Sequence, residues 1–272
     1  MSNHTQYWDD RRNKIFSRTG GWRVGHGVSM HGHDLLEELV GEASFFQLLL
    51  LATTGKLPEP RVARWWEAAF MCMSWPDPRI WCNQISTLAA ETKCSIVAAT
   101  TAGTLANDSY MYGAGSALAS MNFITQALRD FENGMSVKEI VRNEVRKSRG
   151  KLHITGYVRP IAKGDERVIA LEKFARKLQF SIGPHEKLAF EIEDYLIDNF
   201  SEGMNAGGYM TAFLSDQGFT PQQVYNFSAM IVFAGVEACY IDNVTRPYGS
   251  FLPLRCDDIE YTGKPIREIP AG

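Results

Sequence analysis

The chain has 272 residues, 45% of them hydrophobic and 22% charged, with a net charge of −3. Such a composition suits a globular protein able to bury a sizeable core, as one large domain or a large one with a smaller lobe. The near balance of charge argues against nucleic acid or an anionic membrane surface as a partner. Cys72, Cys82, Cys94, Cys239 and Cys256 show no Cys-x-x-Cys spacing. Four lie in apolar stretches, so reduced, mostly buried thiols of a cytoplasmic protein are expected.

The N-terminal stretch "MSNHTQYWDDRRNK" is polar and charged, unlike a signal peptide. Residues 21–30, "GWRVGHGVSM", are strand-like and predict a small hairpin near the N-terminus. A short amphipathic turn over 34–40 is stopped by Gly41. Ser44 then caps a helix on which Phe45, Leu48, Leu49 and Ala52 share one face, and Gly55 and Pro58 end it. The next helix begins near Pro60, followed by two more over about 79–92 and 94–106. Residues 115–132 form a helix after the small-residue stretch "YGAGS", and Ser136 with Glu139 makes a capping box for the next.

"KLHITGYVRP" is strand-like. Asp165 caps a helix running through 180, and an apolar helix covers 186–199. Thr220, Pro221 and Gln223 start a further helix, expected to run to about 241. Its apolar stretch contains Asn226, Ser228 and Glu237, which makes it a core helix rather than a membrane span. The fold expected from these elements is all-α with one small hairpin.

Four stretches are candidates for chemistry. His26, His31 and His33 cluster in "GHGVSMHGHDLLEEL", and an extended stretch would put His31 and His33 on one face. They lack the i, i+4 spacing of a helical zinc site, and a polar lead into a helix is the simpler reading, so no metal is expected. "YMYGAGSALAS" (110–120) permits close backbone approach but lacks a phosphate-loop pattern, which favours helix packing. Arg159, Lys163 and Arg167 fall in one loop that leads into a helix, either as solvated surface charge or as groups that hold phosphates or carboxylates. "SEGMNAGGYMTAF" (201–213) is a glycine-rich interruption between two apolar helices, either a plain turn or a place where backbone meets ligand.

Taken together, these stretches resemble the citrate synthase family. "HGHDLLEELVGEASFFQLLLLATTGKLP" (31–58) looks like its signature, in which an arginine-glycine-tyrosine-like triplet precedes an acidic-apolar helix, then a Ser-Phe pair, an apolar run and Gly-x-Leu-Pro. In that alignment His31 and His33 replace the arginine and the tyrosine. The likeness resumes at "YGAGSALASMNFI", "GYVRPIAKGDERV" and "IGPHEKLAFEIEDYLI", and continues from Met204 to Ile241. The short length resembles the compact citryl-CoA-lyase-like branch.

The resemblance implies a citrate-synthase-like helical fold with a large domain (1–112 and 220–272) and a small domain (113–219), working as a homodimer or a higher even oligomer. It implies joining or splitting a C–C bond between an acyl-CoA and a 2-oxo acid. An aspartate removes the α-proton, one histidine hydrogen-bonds the enolate and a second polarises the ketone, while arginines grip carboxylates. No cofactor is implied beyond the coenzyme A thioester as substrate, and neither nucleic acid nor membrane is a partner.

Carried over by position, the first histidine falls on Tyr112, an aromatic position in compact relatives. The second falls on Tyr157, or on Val158 under strict spacing. The aspartate falls on Ala206, next to Asn205. The arginine of the Asp-Pro-Arg motif survives as Arg167, a second arginine becomes Val232, and the one donated across the dimer corresponds to Arg255 within about a residue. Arg159 and Lys163 are implied to contact CoA phosphates. Alanine supplies no base, and tyrosine is a poor one near neutrality with its unperturbed pKa of about 10. Glu202 or Asp165 remain as alternative bases. Two readings follow: a diverged enzyme in which Tyr112, Tyr157 and Asn205 form the polar catalytic set, and a non-catalytic ligand-binding or structural relative of an active enzyme.

Overall fold

The computed structural model describes residues 5–109, 111–159 and 164–269. It is mostly helical, with one antiparallel three-stranded sheet. The chain forms two compact units, one of Met1–Trp75 with Asn107–Val232 and one of Pro76–Ala106 with Phe233–Gly272. This division cuts the chain at other points than the large and small domains implied by the resemblance.

The first unit opens with a short helix α1 (Gln6–Asp9) and the hairpin β1 (Gly20–Arg23) with β2 (Gly27–Met30), to which β3 (His33–Asp34) adds. Asp34 then accepts from Leu36 N–H and Glu37 N–H at the head of a π-helical turn, Leu35–Leu39. Helix α2 (Phe45–Thr54) starts at a Ser44–Gln47 capping box and stops at left-handed Gly55. Helix α3 (Pro60–Met73) follows, with proline in its first turn.

After the second unit's first segment come α6 (Ala114–Glu132), α7 (Val137–Lys147), α8 (Glu166–Lys177), α9 (Pro184–Phe200), α10 (Ala206–Asp216) and α11 (Pro221–Phe227). Helix α10 packs on α6 and α9, and α11 packs on α6 and α2. Fully buried Trp65 of α3 stacks on Phe213 of α10 with ring centres 3.8 Å apart, and Trp66 meets Phe227 of α11 edge-on at 4.8 Å. Burying such side chains contributes about 1.5–3 kcal/mol each, which ties α3, α10 and α11 into one core.

In the second unit α4 (Trp81–Glu91) packs on α12 (Phe233–Val244), and the Ser86 hydroxyl donates to Val236 O at 2.8 Å. Helix α5 (Ile96–Asn107) belongs here except for Asn107, which lies in the first unit. The Lys93 ammonium donates to Val244 O and Arg246 O, placing a cation at the C-terminus of α12. No described helix is long and apolar enough to cross a membrane.

Three expectations change. Residues 151–159 of "KLHITGYVRP" form a turn and irregular backbone, with no strand. The interruption at 201–213 holds most of a helix, α10, whose Gly208 serves close packing on Gly156. The helix expected from 221 to about 241 is two helices, α11 and α12, separated by turns over 228–232, and the two belong to different units.

Candidate active site

The candidate site in the first unit is built on one glycine-to-glycine contact. Gly156 has φ +101°, and a Cβ there would lie 2.6 Å from Ser120 Oγ and 2.9 Å from Gly208 Cα, so the loop seats directly on α10. Asn205 fixes it: its N–H donates to Gly156 O at 2.9 Å, and its side-chain amide donates to Val158 O at 3.0 Å. Asn205 Oδ1 accepts from Gly208 N–H, capping α10.

Asp165 joins this loop to two helix N-termini. It caps α8 by accepting from Arg167 N–H and receives Ala206 N–H of α10 at 2.8 Å. Its side chain has no exposure. Arg167 grips it twice, Nε to Oδ1 at 2.8 Å and Nη2 to Oδ2 at 2.6 Å, while Arg159 Nη1 lies 3.6 Å from Oδ1. Burial alone raises the Asp165 carboxyl, but the Arg167 hydrogen bond and charge, with Ala206 N–H, more than offset it and hold it below the usual carboxylate range. Arg159 also forks onto Glu166 at 2.8 and 3.2 Å. The structure thus gathers Arg159, Asp165, Glu166, Arg167, Asn205 and Ala206 into one charge-balanced junction. Ala206, on which the resemblance would put the family's aspartate, donates its backbone N–H to an aspartate from another segment.

Tyr157 sits beside this junction but faces away from solvent. It is fully buried, its ring meets Phe123 edge-on at 5.9 Å, and its hydroxyl donates to Ala189 O at 3.2 Å. Burial and the Glu193 charge push its pKa upward.

Tyr112 is half-buried in a turn whose N–H and C=O both pair with Ser109. Gly113, the N-cap of α6, has φ +79° and presses on Asn107, so a Cβ there would lie 1.9 Å from Asn107 O. Asn107 is fully buried, and among the described residues neither atom of its amide has a hydrogen-bond partner. Arg255 is exposed and lies in the second unit, where its N–H donates to Asp258. Lys163 lies outside the described residues.

Glu193 was not among the residues singled out from sequence. Its Oε1 accepts Met204 N–H at 2.9 Å, one residue before Asn205, and burial raises its pKa. It is one of several acidic residues on α9, which hid it in the sequence. Glu202 is half-buried and lies in the same turn, after α9. Among the histidines, His33 Nδ1 pairs with Glu38 at 2.5 Å, and His31 Nε2 is buried with no partner among the described residues. No group of three His, Cys, Asp or Glu among the described residues is arranged to hold a metal ion.

No protein-family model matches the chain, and no curated protein matches it. Solved structures do. The chain is similar to citryl-CoA lyase from Hydrogenobacter thermophilus, with 26% identity, a TM-score of 0.78, and coverage of 94% of this chain and 98% of that one. ATP citrate lyase from Methanothrix soehngenii, in complex with citrate and coenzyme A, matches at 16% identity and TM-score 0.77; the whole chain spans 46% of it. Citrate synthase from Thermotoga maritima matches at 18% identity and TM-score 0.60, over 81% of this chain and 58% of that one. The last two likenesses speak to the fold alone.

The fold is that of the citrate synthase superfamily. Within it the chain is of the compact, citryl-CoA-lyase-like kind, which it matches over nearly the whole length of that enzyme.

Proposed function

We propose that the chain is a diverged enzyme that forms or cleaves a C–C bond between an acyl-CoA, or a related activated acid, and a 2-oxo acid. The observation that carries this is the end-to-end likeness to citryl-CoA lyase. The roles follow from the chemistry each group retains. Arg167, held rigid by Asp165, presents a fixed cation to a ligand carboxylate. Arg159 and Lys163 serve anionic groups of the ligand. Arg255 reaches a neighbouring subunit's site in a homodimer or higher even oligomer.

Tyr112 supplies a polar contact to the reacting oxygens, while the Asn205 amide, committed to Val158 O and Gly208 N–H, supports the loop beside them. Tyr157 is reassigned to support, because its hydroxyl is committed to Ala189 O. Asp165 is a poor base, because two arginines stabilise its ionised form. Glu193 is the better candidate to move the α-proton. It lies at the turn that leads to Asn205 and Ala206, and burial brings its pKa upward toward the range useful for proton transfer. The large and small domains implied by the resemblance, and a cytoplasmic location, belong to this same proposal.

Incubation with acyl-CoA and oxo-acid pairs, and with the corresponding condensed thioester, tests the reading. Turnover that falls about 10²-fold or more in Glu193→Gln is expected, the scale of general acid–base help. A protein that binds these ligands but converts none supports the second reading, a non-catalytic relative. That reading is favoured by the absence of a carboxylate at position 206.

A further inference from the structure

The two arginines of the Asp165 junction are held in different ways. Arg167 is locked on a carboxylate that has no exposure and is itself fixed by Ala206 N–H. Arg159 is the more buried of the two, with 10% of its side chain exposed against 17% for Arg167, yet both arms of its fork are filled by Glu166, whose side chain is 70% exposed. A nearly buried guanidinium therefore meets solvent through a single surface carboxylate. The same Nη1 also donates to Gly164 O at 3.2 Å, so the arginine stays anchored when that carboxylate is absent.

Two parallel N–H···O bonds are the geometry in which arginine takes a carboxylate or a phosphate from a ligand. The Glu166 carboxylate is largely exposed, so water solvates it once it leaves the pair and little free energy holds it there. Glu166 is the first residue of α8, and its side chain can swing outward without disturbing the helix. Asp165 has no such freedom.

We infer that Glu166 is a built-in stand-in for the ligand's anionic group, and that ligand binds by exchange: the Glu166 carboxylate leaves Arg159 and a ligand carboxylate or phosphate takes its two N–H donors. This rests on the reading that an acyl-CoA and a carboxylic acid bind at the junction. Glu166 thereby lowers affinity for the anion and keeps Arg159 neutralised and aligned while the site is empty. In keeping with this, the Arg159 hydrogen bond holds the Glu166 carboxyl below its ordinary range.

Calorimetric titration of the full chain with coenzyme A and, separately, citrate tests the exchange and separates its two sources, phosphate and carboxylate. Glu166→Gln is expected to tighten binding of one probe by about two- to fivefold, the size of an exposed ion pair. The gain should vanish in an Arg159→Gln background. Unchanged or weaker binding of both probes overturns the inference, as does failure of either protein to bind either probe. A lowered melting temperature in Glu166→Gln without any affinity gain marks Glu166 as a brace and overturns it too. Turnover is not needed for this assay. Tightened binding in a protein that converts no substrate sustains the exchange and sinks the enzyme reading, while turnover without tightened binding does the reverse.

Discussion

Two buried carboxylates of the first unit, Asp165 and Glu186, are driven to opposite states by their neighbours. Asp165 meets two guanidiniums and the N-termini of α8 and α10, and stays ionised. Glu186, in the first turn of α9, is 3% exposed, and burial pushes its pKa up to about 7. The charge of Asp216 adds to that rise. Asp216 itself is occupied at the head of α9, accepting from His185 N–H and Glu186 N–H and pairing with His185 Nδ1 at 2.7 Å. The contrast shows that burial does not decide a carboxylate's charge here; the presence of an arginine fork does. It also distinguishes a junction organised around fixed charge from one organised to avoid it.

Breaking the charged member should have the largest effect. Asp165→Asn leaves two arginines without their buried partner and should cost about 3–5 kcal/mol, read by chemical denaturation at pH 7. In the wild type this contribution is present above the unfolded carboxylate's pKa and is lost as pH falls through the depressed folded value, so the Asp165→Asn deficit should shrink in acid.

Glu186 has the reverse sign. Its folded pKa of about 7 lies above the ordinary glutamate value of 4.5. Stability present below 4.5 is therefore lost as pH rises toward 7, by about 3 kcal/mol in all. Melting curves of Glu186→Gln between pH 4.5 and 7 should lack that decline. A wild-type curve that is flat, or that rises, over this range would contradict the buried neutral state.

Smaller effects separate the support from the surface. Asn205→Ala removes the α10 cap and the bond to Val158, and should cost about 1–2 kcal/mol in denaturant titrations. Glu166→Gln should change stability by no more than about 0.5 kcal/mol, because its carboxylate is 70% exposed and Arg159 keeps its bond to Gly164 O. A loss near that of Asp165→Asn would place Glu166 among the fixed charges.

Much of the helical order was legible in the sequence because caps are local. Ser136 with Glu139 and Thr220 with Gln223 form the expected boxes, Ser44 caps α2 as expected, and Gly55 stops it. The misses have tertiary causes. Gly207 and Gly208 look like helix breakers, but α10 keeps them because a Cβ on Gly208 would lie 2.3 Å from Gly156 O. The break between α11 and α12 lies inside a continuous apolar run, where hydrophobicity carries no boundary signal. The loop arginines were legible as anion-binding candidates, yet their pairing with Asp165 and Glu166 was not. Nor was the fate of the Tyr157 hydroxyl, which is set by Ala189, 32 residues along the chain. Glu193 was hidden because only the fold brings its carboxylate to Met204 N–H.

The most direct test of the account is turnover itself, measured on the wild type and Glu193→Gln with a panel of acyl-CoA and 2-oxo acid pairs in both directions. The account predicts carbon–carbon bond formation or cleavage with at least one pair, and its loss in Glu193→Gln with ligand binding retained. Binding without turnover for every pair in the wild type, or equal rates in the two proteins, would contradict it.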